Sequence, residues 1–184
     1  MLTLSIPILE TERLWLRAPA MDDLPAFSAF LASDRARHTG GPESDRGTVT
    51  RAFGHLAGLW LLRGYSCFVA ERKDTPGGIG FFGLWYPQDW PEPELSWSIW
   101  AAGAEGRGLA AEAMRAVIPW SFRRSGLATA ISVIDASNHA SRRLAERLGA
   151  RIDASATLAA NSPGSHFFDA DQDHVAVYRH RRAA

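Results

Sequence analysis

The chain has 184 residues, a formal net charge of zero, 46% hydrophobic and 22% charged residues, and one cysteine. That length and apolar content fit a single domain over 1–184 with a real core. Neutral charge excludes the basic footprint of a nucleic-acid or anionic-membrane binder, and a lone cysteine excludes an internal disulfide and suits a reducing cytoplasm.

The opening MLTLSIPILETERL has no basic region ahead of an apolar core, so no secretory leader is expected, and no run of ~18 apolar residues offers a membrane span. In Leu9 to Arg17, Leu14 and Leu16 alternate with Trp15 and Arg17, which predicts one strand stopped by Pro19. Asp22 and Asp23 then precede Leu24, Phe27 and Leu31 at helical spacing. His38 to Asp45 reads as a loop. A second helix follows from about Asp45 to Leu62, with Val49, Phe53, Leu56 and Trp60 as its buried stripe and Gly64 at its end. His38 and His55 lack a ligand-spaced partner; a solvated or packing role is the plain reading.

Tyr65 to Arg72 predicts a strand with Cys67 as a small buried apolar residue. Asp74 to Gly78 is a turn, and Ile79 to Tyr86 the next strand, whose glycines predict a close backbone approach or a bulge. Pro87 to Pro93 is a rigid loop holding Trp90. Trp85, Trp90, Trp97 and Trp100 cluster around it, as core or as the wall of an apolar pocket.

The stretch Glu94 to Ala113 organises the rest. Leu95, Trp97 and Ile99 alternate with Ser96 and Ser98, a half-buried strand. A loop of small residues leads through Gly106-Arg107-Gly108 into helix formers from Ala110. Glycines allow a ligand close to the backbone, and a helix start favours a phosphate. No Walker loop is present, because the single lysine is Lys73. Gly106, Gly108 and Ala111 match a dinucleotide fingerprint literally, with Asp135 beyond, but the glycines stand too far from the strand and too little chain follows for the repeated halves of that fold.

That helix runs to about Arg124 with Met114, Ile118 and Phe122 on one stripe, Pro119 within it and Gly126 at its end. Thr129 to Asp135 is a strand. Asn138 is a good N-cap for a helix carrying Ser141, Leu144, Ala145 and Leu148, with Gly149 just past its end. Arg151 to Asp173 is polar and irregular, with room for two short strands, and His174 to His180 is the last strand. His166, His174 and His180 have no zinc spacing, so no metal is expected.

Three runs resemble one family. Glu105-Gly106-Arg107-Gly108-Leu109-Ala110 resembles the [Q/R]-x-x-G-x-[G/A] pyrophosphate loop of the GNAT superfamily of acetyl-CoA-dependent N-acetyltransferases, with glutamate in the place of glutamine or arginine. LETERLWLR followed by DDLPAF resembles the start of the ribosomal-protein N-terminal (RimJ/RimL-type) branch. Asn138 to Ala150 resembles the family's motif B, without the tyrosine that many members carry on that helix. The resemblance implies an α+β GNAT-type fold, a mixed, mostly antiparallel sheet between helical layers. It implies acetyl transfer from acetyl-CoA to a primary amine of a protein N-terminus or small molecule, directly in a ternary complex. The loop from Glu105 through Gly106, Arg107, Gly108 and Leu109 to Ala110 would bind the cofactor. So would the Ile99 and Trp100 backbone, Asn138 and Arg142. Glu94 would be the base, with Ser96 where glycine is usual beside it, and Ser141 the acid. A CoA-binding module without catalysis and a dinucleotide oxidoreductase are the alternatives. Homodimers are the commonest assembly of such chains.

Overall fold

Alternating apolar runs punctuated by glycine and proline give eight strands, and these form one sheet in the order β1-β2-β3-β4-β5-β6-β8-β7. The computed structural model describes residues 5–169 and 174–183. The strands are β1 (Leu9–Glu10), β2 (Leu14–Arg17), β3 (Cys67–Arg72), β4 (Thr75–Trp85), β5 (Glu94–Ile99), β6 (Thr129–Asp135), β7 (Arg151–Ile152) and β8 (Val175–Arg181). The helices are α1 (Leu24–Leu31), α2 (Arg46–Arg63), α3 (Leu109–Ser125), α4 (His139–Arg147) and α5 (Ala154–Ala160).

Helix α2 starts where Asp45 accepts the Thr48 N–H and stops at Gly64 with φ +73°. Val49, Phe53, Leu56 and Trp60 are all buried on it, as their spacing predicts. Helix α3 buries Ala113, Met114, Val117 and Phe122 and runs through Pro119. One core cluster joins α3 to Leu14, Phe68, Phe82 and Leu95; a second joins Phe27 and Phe53 to Val69, Phe81 and Trp100. The sheet is therefore covered on both faces. This is why the polar positions of β5 are not solvated: Glu94 is 8% and Ser98 7% exposed.

Three expectations change. LETERLWLR is a hairpin, not one strand: Leu9 pairs with Leu16, and Thr11 N–H donates to Leu14 O across the turn. The turn after β3 is shorter than Asp74 to Gly78, since β4 starts at Thr75 and irregular register near Glu71 absorbs the difference. Arg151 to Asp173 holds the two-residue β7 and a helix. Asp153 caps α5 by accepting the Ala156 N–H, and Asn161 ties its end to both polar groups of the Val175 backbone. The stretch 170–173 lies outside the described residues.

One junction differs from the rest. All other neighbouring strands are antiparallel, but β5 and β6 are parallel and pair through Glu94 and Ile131 alone. Beyond that pair the strands part, and their facing backbone groups need other partners.

Candidate active site

The parted strands open a cleft of about 730 Å³, walled by β5 from Glu94 to Ile99, β6 from Ser132 to Asp135, the glycine loop, the α4 N-cap Asn138, and α4 residues Ser141, Arg143 and Arg147. Side chains serve the backbone groups that the wedge deprives of strand partners. Glu94 Oε1 accepts the Val133 N–H at 3.2 Å. Ser132 Oγ donates to Leu95 O at 2.6 Å. Its one proton is then committed, so the 3.0 Å contact with His180 Nε2 makes that nitrogen the donor. Burial pushes His180 down to about 4, which keeps it neutral.

Glu94 sits at the closed end of the wedge. Its second oxygen, Oε2, accepts the indole N–H of Trp90 at 2.6 Å. Burial pushes its carboxyl up to about 7, against the lowering effect of the Trp90 and Val133 hydrogen bonds. A carboxyl poised there exchanges protons at neutral pH, as a general base must.

At the open end, Gly106 (φ +71°) and Gly108 (φ +77°) hold left-handed backbone that other residues adopt only with strain. Gly108 is the N-cap of α3 and supplies no side-chain cap. Leu109 to Ala111, the first residues of that helix, line the cleft, and the amides of a first helical turn have no intrahelical acceptors. Helix dipole and open N–H groups together favour an anion.

The side chains named from the sequence divide. Glu94, Ile99, Glu105, Gly106, Gly108, Leu109, Ala110, Asn138 and Ser141 line the cleft. Asn138 spends its side-chain oxygen on the Ser141 N–H, as a cap. Ser141 Oγ accepts from the Trp97 indole at 3.3 Å, which leaves the hydroxyl proton for another acceptor. Trp100 is absent from the wall: its ring packs on Phe27 and Phe81. Arg107 lines a smaller groove beside Arg13, Arg72 and Lys73. Arg142 is tied to Tyr178 Oη and Ala136 O; Arg143 and Arg147, one turn apart, line the cleft.

Two groups on the α1–α2 connection also reach the cleft. Arg35 donates to Ile99 O at 3.0 Å and Trp100 O at 2.6 Å and forms an ion pair with Glu105. Only its position in the connection between the first two helices hinted at it. His38 Nδ1 lies 3.4 Å from Asp135 Oδ2, bridging from the helical layer to the far strand. Burial works to raise Asp135, but hydrogen bonds from Ser137, with His38 beside them, hold it below the ordinary carboxylate range. His55 instead packs at a tilt against Trp85. Among the described residues no group of three or more His, Cys, Asp or Glu is placed to hold a metal ion, and no helix is long and apolar enough to cross a membrane.

The family model for the acetyltransferase (GNAT) domain matches residues 13–151. The chain superposes on the crystal structure of the acetyltransferase from Agrobacterium tumefaciens str. C58 with a TM-score of 0.83 and 36% identity, over 99% of this chain and 98% of that one. The N-acetyltransferase YoaA of Bacillus subtilis (strain 168), itself uncharacterized, is 29% identical over 153 residues, 78% of this chain and 82% of its own. The ribosomal L7/L12 alpha-N-protein acetyltransferase RimL shares the fold at 14% identity, with a TM-score of 0.73 over 95% of this chain and 94% of its own. A coenzyme A complex of RimL superposes at 0.69 with 15% identity, over 96% of this chain and 98% of its own. The chain belongs to the GNAT acetyltransferases, and the dinucleotide alternative falls: its glycine loop follows a strand with one parallel neighbour, not repeated βαβ halves.

Proposed function

We propose that the chain transfers the acetyl group of acetyl-CoA to a primary amine, with Glu94 as general base. The observation that carries this reading is a buried carboxylate, raised to about 7 and held by two N–H donors, in a wedge that opens onto a helix start with free amides. The Leu109 to Ala111 amides bind the pyrophosphate, with Arg143 and Arg147 facing the same space. The cleft-facing backbone of β5 near Ile99 lies along the pantetheine arm. Acetyl-CoA supplies the thioester. Glu94 takes the proton from the acceptor nitrogen as its bond to the acetyl carbon forms and the carbon–sulfur bond breaks, a contribution of about 10²–10⁴-fold. Ser141 donates a hydrogen bond to the departing sulfur.

The acceptor is the amine of a protein N-terminus or a small molecule. It enters from the α1–α2 side, where Asp135 offers a carboxylate to a cation. The reaction is cytoplasmic, where acetyl-CoA is available.

A thermal-shift titration with acetyl-CoA, free CoA and NADH tests the cofactor. A ligand at about 100 times its Kd adds about 2.7 kcal/mol of stability. The expected result is a rise with both CoA species and none with NADH, followed by thiol release on addition of amines. Glu94→Gln keeps the thermal shift and loses about 10²–10⁴-fold in rate. Binding without turnover on any amine would leave a CoA-binding module; no shift with CoA would end the cofactor assignment itself.

A further inference from the structure

We propose that Trp90 is a positioning residue, the indole donor that sets both the orientation and the basicity of Glu94; this rests on the reading of Glu94 as base. Trp90 belongs to the loop between β4 and β5 and is absent from the cleft wall, so it reaches the carboxylate from behind. A carboxylate buried among apolar groups is held by whatever donors face it. Here there is one donor for each oxygen: Val133 N–H on Oε1 and Trp90 Nε1–H on Oε2. The first comes from the sheet and cannot be altered by a side chain. The second can.

The indole is itself clamped. His166 lies 4.6 Å from its ring and Phe167 stands edge-on at 5.1 Å, both on the segment between α5 and β8. Phe167 packs in turn against the cluster of Ile131, Ala160 and Val177. The loop backbone is pinned nearby, because Arg179 grips both oxygens of Glu92 at 2.7 and 2.9 Å while its Nε binds Asp153. Two aromatic contacts and a bidentate ion pair thus serve to hold a single N–H against one carboxylate oxygen. A tryptophan serving only as filler needs no such alignment, and a phenylalanine fills space without it.

The charged and titratable groups around Glu94 are few. Cys67 on β3 is its buried neighbour, its thiol pushed up first by burial and then by Glu94. His166 stands behind the indole, and in the Glu92–Arg179–Asp153 cluster on the loop side the one guanidinium is shared by two carboxylates, which leaves a net negative charge. No cation offsets the carboxylate among these groups. The Trp90 hydrogen bond is therefore the larger of the two interactions that favour the ionised base, ahead of the Val133 N–H.

The test is the pH profile of kcat/KM for acetyl transfer, with a ¹³C titration of the Glu94 carboxyl as an independent readout. In Trp90→Phe the acidic limb and the carboxyl titration both move to higher pH by about one unit, while the acetyl-CoA thermal shift stays unchanged. Trp90→Gln, which returns an N–H donor, brings the limb part of the way back. Should Trp90→Phe fail to fold, Phe167→Leu loosens the clamp and moves the limb the same way by less. A limb and a carboxyl titration that stay in place in a folded variant, with only kcat reduced, would overturn the proposal. The base assignment fails separately, if Glu94→Gln keeps both the wild-type rate and the acidic limb.

Discussion

Glu105 stands where the resembled loop has glutamine or arginine, and the structure supplies a reason in Arg35. The two form an ion pair across the mouth of the cleft, with Glu105 half-exposed and Arg35 also bound to the Ile99 and Trp100 carbonyls. Such a pair adds at most about 1 kcal/mol to stability. Its effect on an anionic ligand is larger, since the carboxylate lies beside the amides proposed to hold a pyrophosphate. Glu105→Gln removes that negative charge and frees Arg35 to face the phosphates. Affinity for acetyl-CoA should rise about three- to tenfold at low salt, and the gain should shrink at 0.5 M salt as screening sets in. Calorimetric titration at two ionic strengths measures both; a weaker complex in Glu105→Gln would show that the carboxylate aids binding. The sequence marks the Glu105 departure but not its partner, because one arginine in a polar connection has no periodicity to mark it. The same limit applies to Glu94. The resemblance implied a base there, but the two donors that hold the carboxylate are Trp90 and Val133, the second 39 residues away in the chain.

At the scale of elements, local pattern was enough wherever the chain's own neighbours decide the structure. The stripe on α2, the left-handed ends of α2 and α3, and the Asn138 cap all follow from spacing and residue type. Pattern fell short where a distant element decides. The N-terminal hairpin turns at Thr11 to Arg13, where Thr11 Oγ1 and the Arg13 N–H and guanidinium all meet Glu112 at the start of α3. Arg13 also donates to Arg107 O, so the N-terminal run and the glycine loop, which each resemble the family, meet in one contact. In α5, alanines and a threonine give no apolar stripe to read, and its one local signal is the Asp153 cap. The glycines of β4 did announce a close approach. A Cβ at Gly83 would lie 2.3 Å from Cys67 Cα and 2.5 Å from Ser66 O, both backbone atoms of β3 or its entry. Gly83→Ala should therefore cost about 1–3 kcal/mol, as overpacking does. In exposed Gly54 of α2, where nothing lies within 4 Å, the same substitution should stabilise by up to about 1 kcal/mol through helix propensity. Urea midpoints of the two variants should move in opposite directions. A shared direction would mean that the β4 backbone yields.

For the whole molecule, the wedge between β5 and β6 leaves a signature in the pH dependence of stability. Two buried groups there titrate abnormally, with opposite sign. Glu94 is raised from 4.5 to about 7, so between those values the folded chain holds more protons than the unfolded one. Stability therefore falls as pH rises through that window, and the full cost stands above pH 7. His180 is lowered from 6.5 to about 4, so there the unfolded chain holds more protons, and stability falls as pH drops through that window. Each change corresponds to about 3 kcal/mol. Over the shared range the slopes oppose each other and the wild-type contribution from this pair is nearly flat. Glu94→Gln removes one slope. Relative to wild type, the variant should gain stability steadily from pH 4.5 to 7 and hold the gain above it. The gain is smaller than about 3 kcal/mol in absolute size, because an amide has a single oxygen for the two N–H donors of Trp90 and Val133, and one of them loses its acceptor. That loss is constant with pH, so the difference between the two denaturation curves still isolates the carboxyl. Parallel curves from pH 4.5 to 8 would mean that Glu94 ionises as it does in the unfolded chain. A divergence centred between pH 4.5 and 7 would show the chain carrying a destabilising charge at neutral pH. A solvated carboxylate avoids that cost, and a residue kept for proton transfer has reason to bear it.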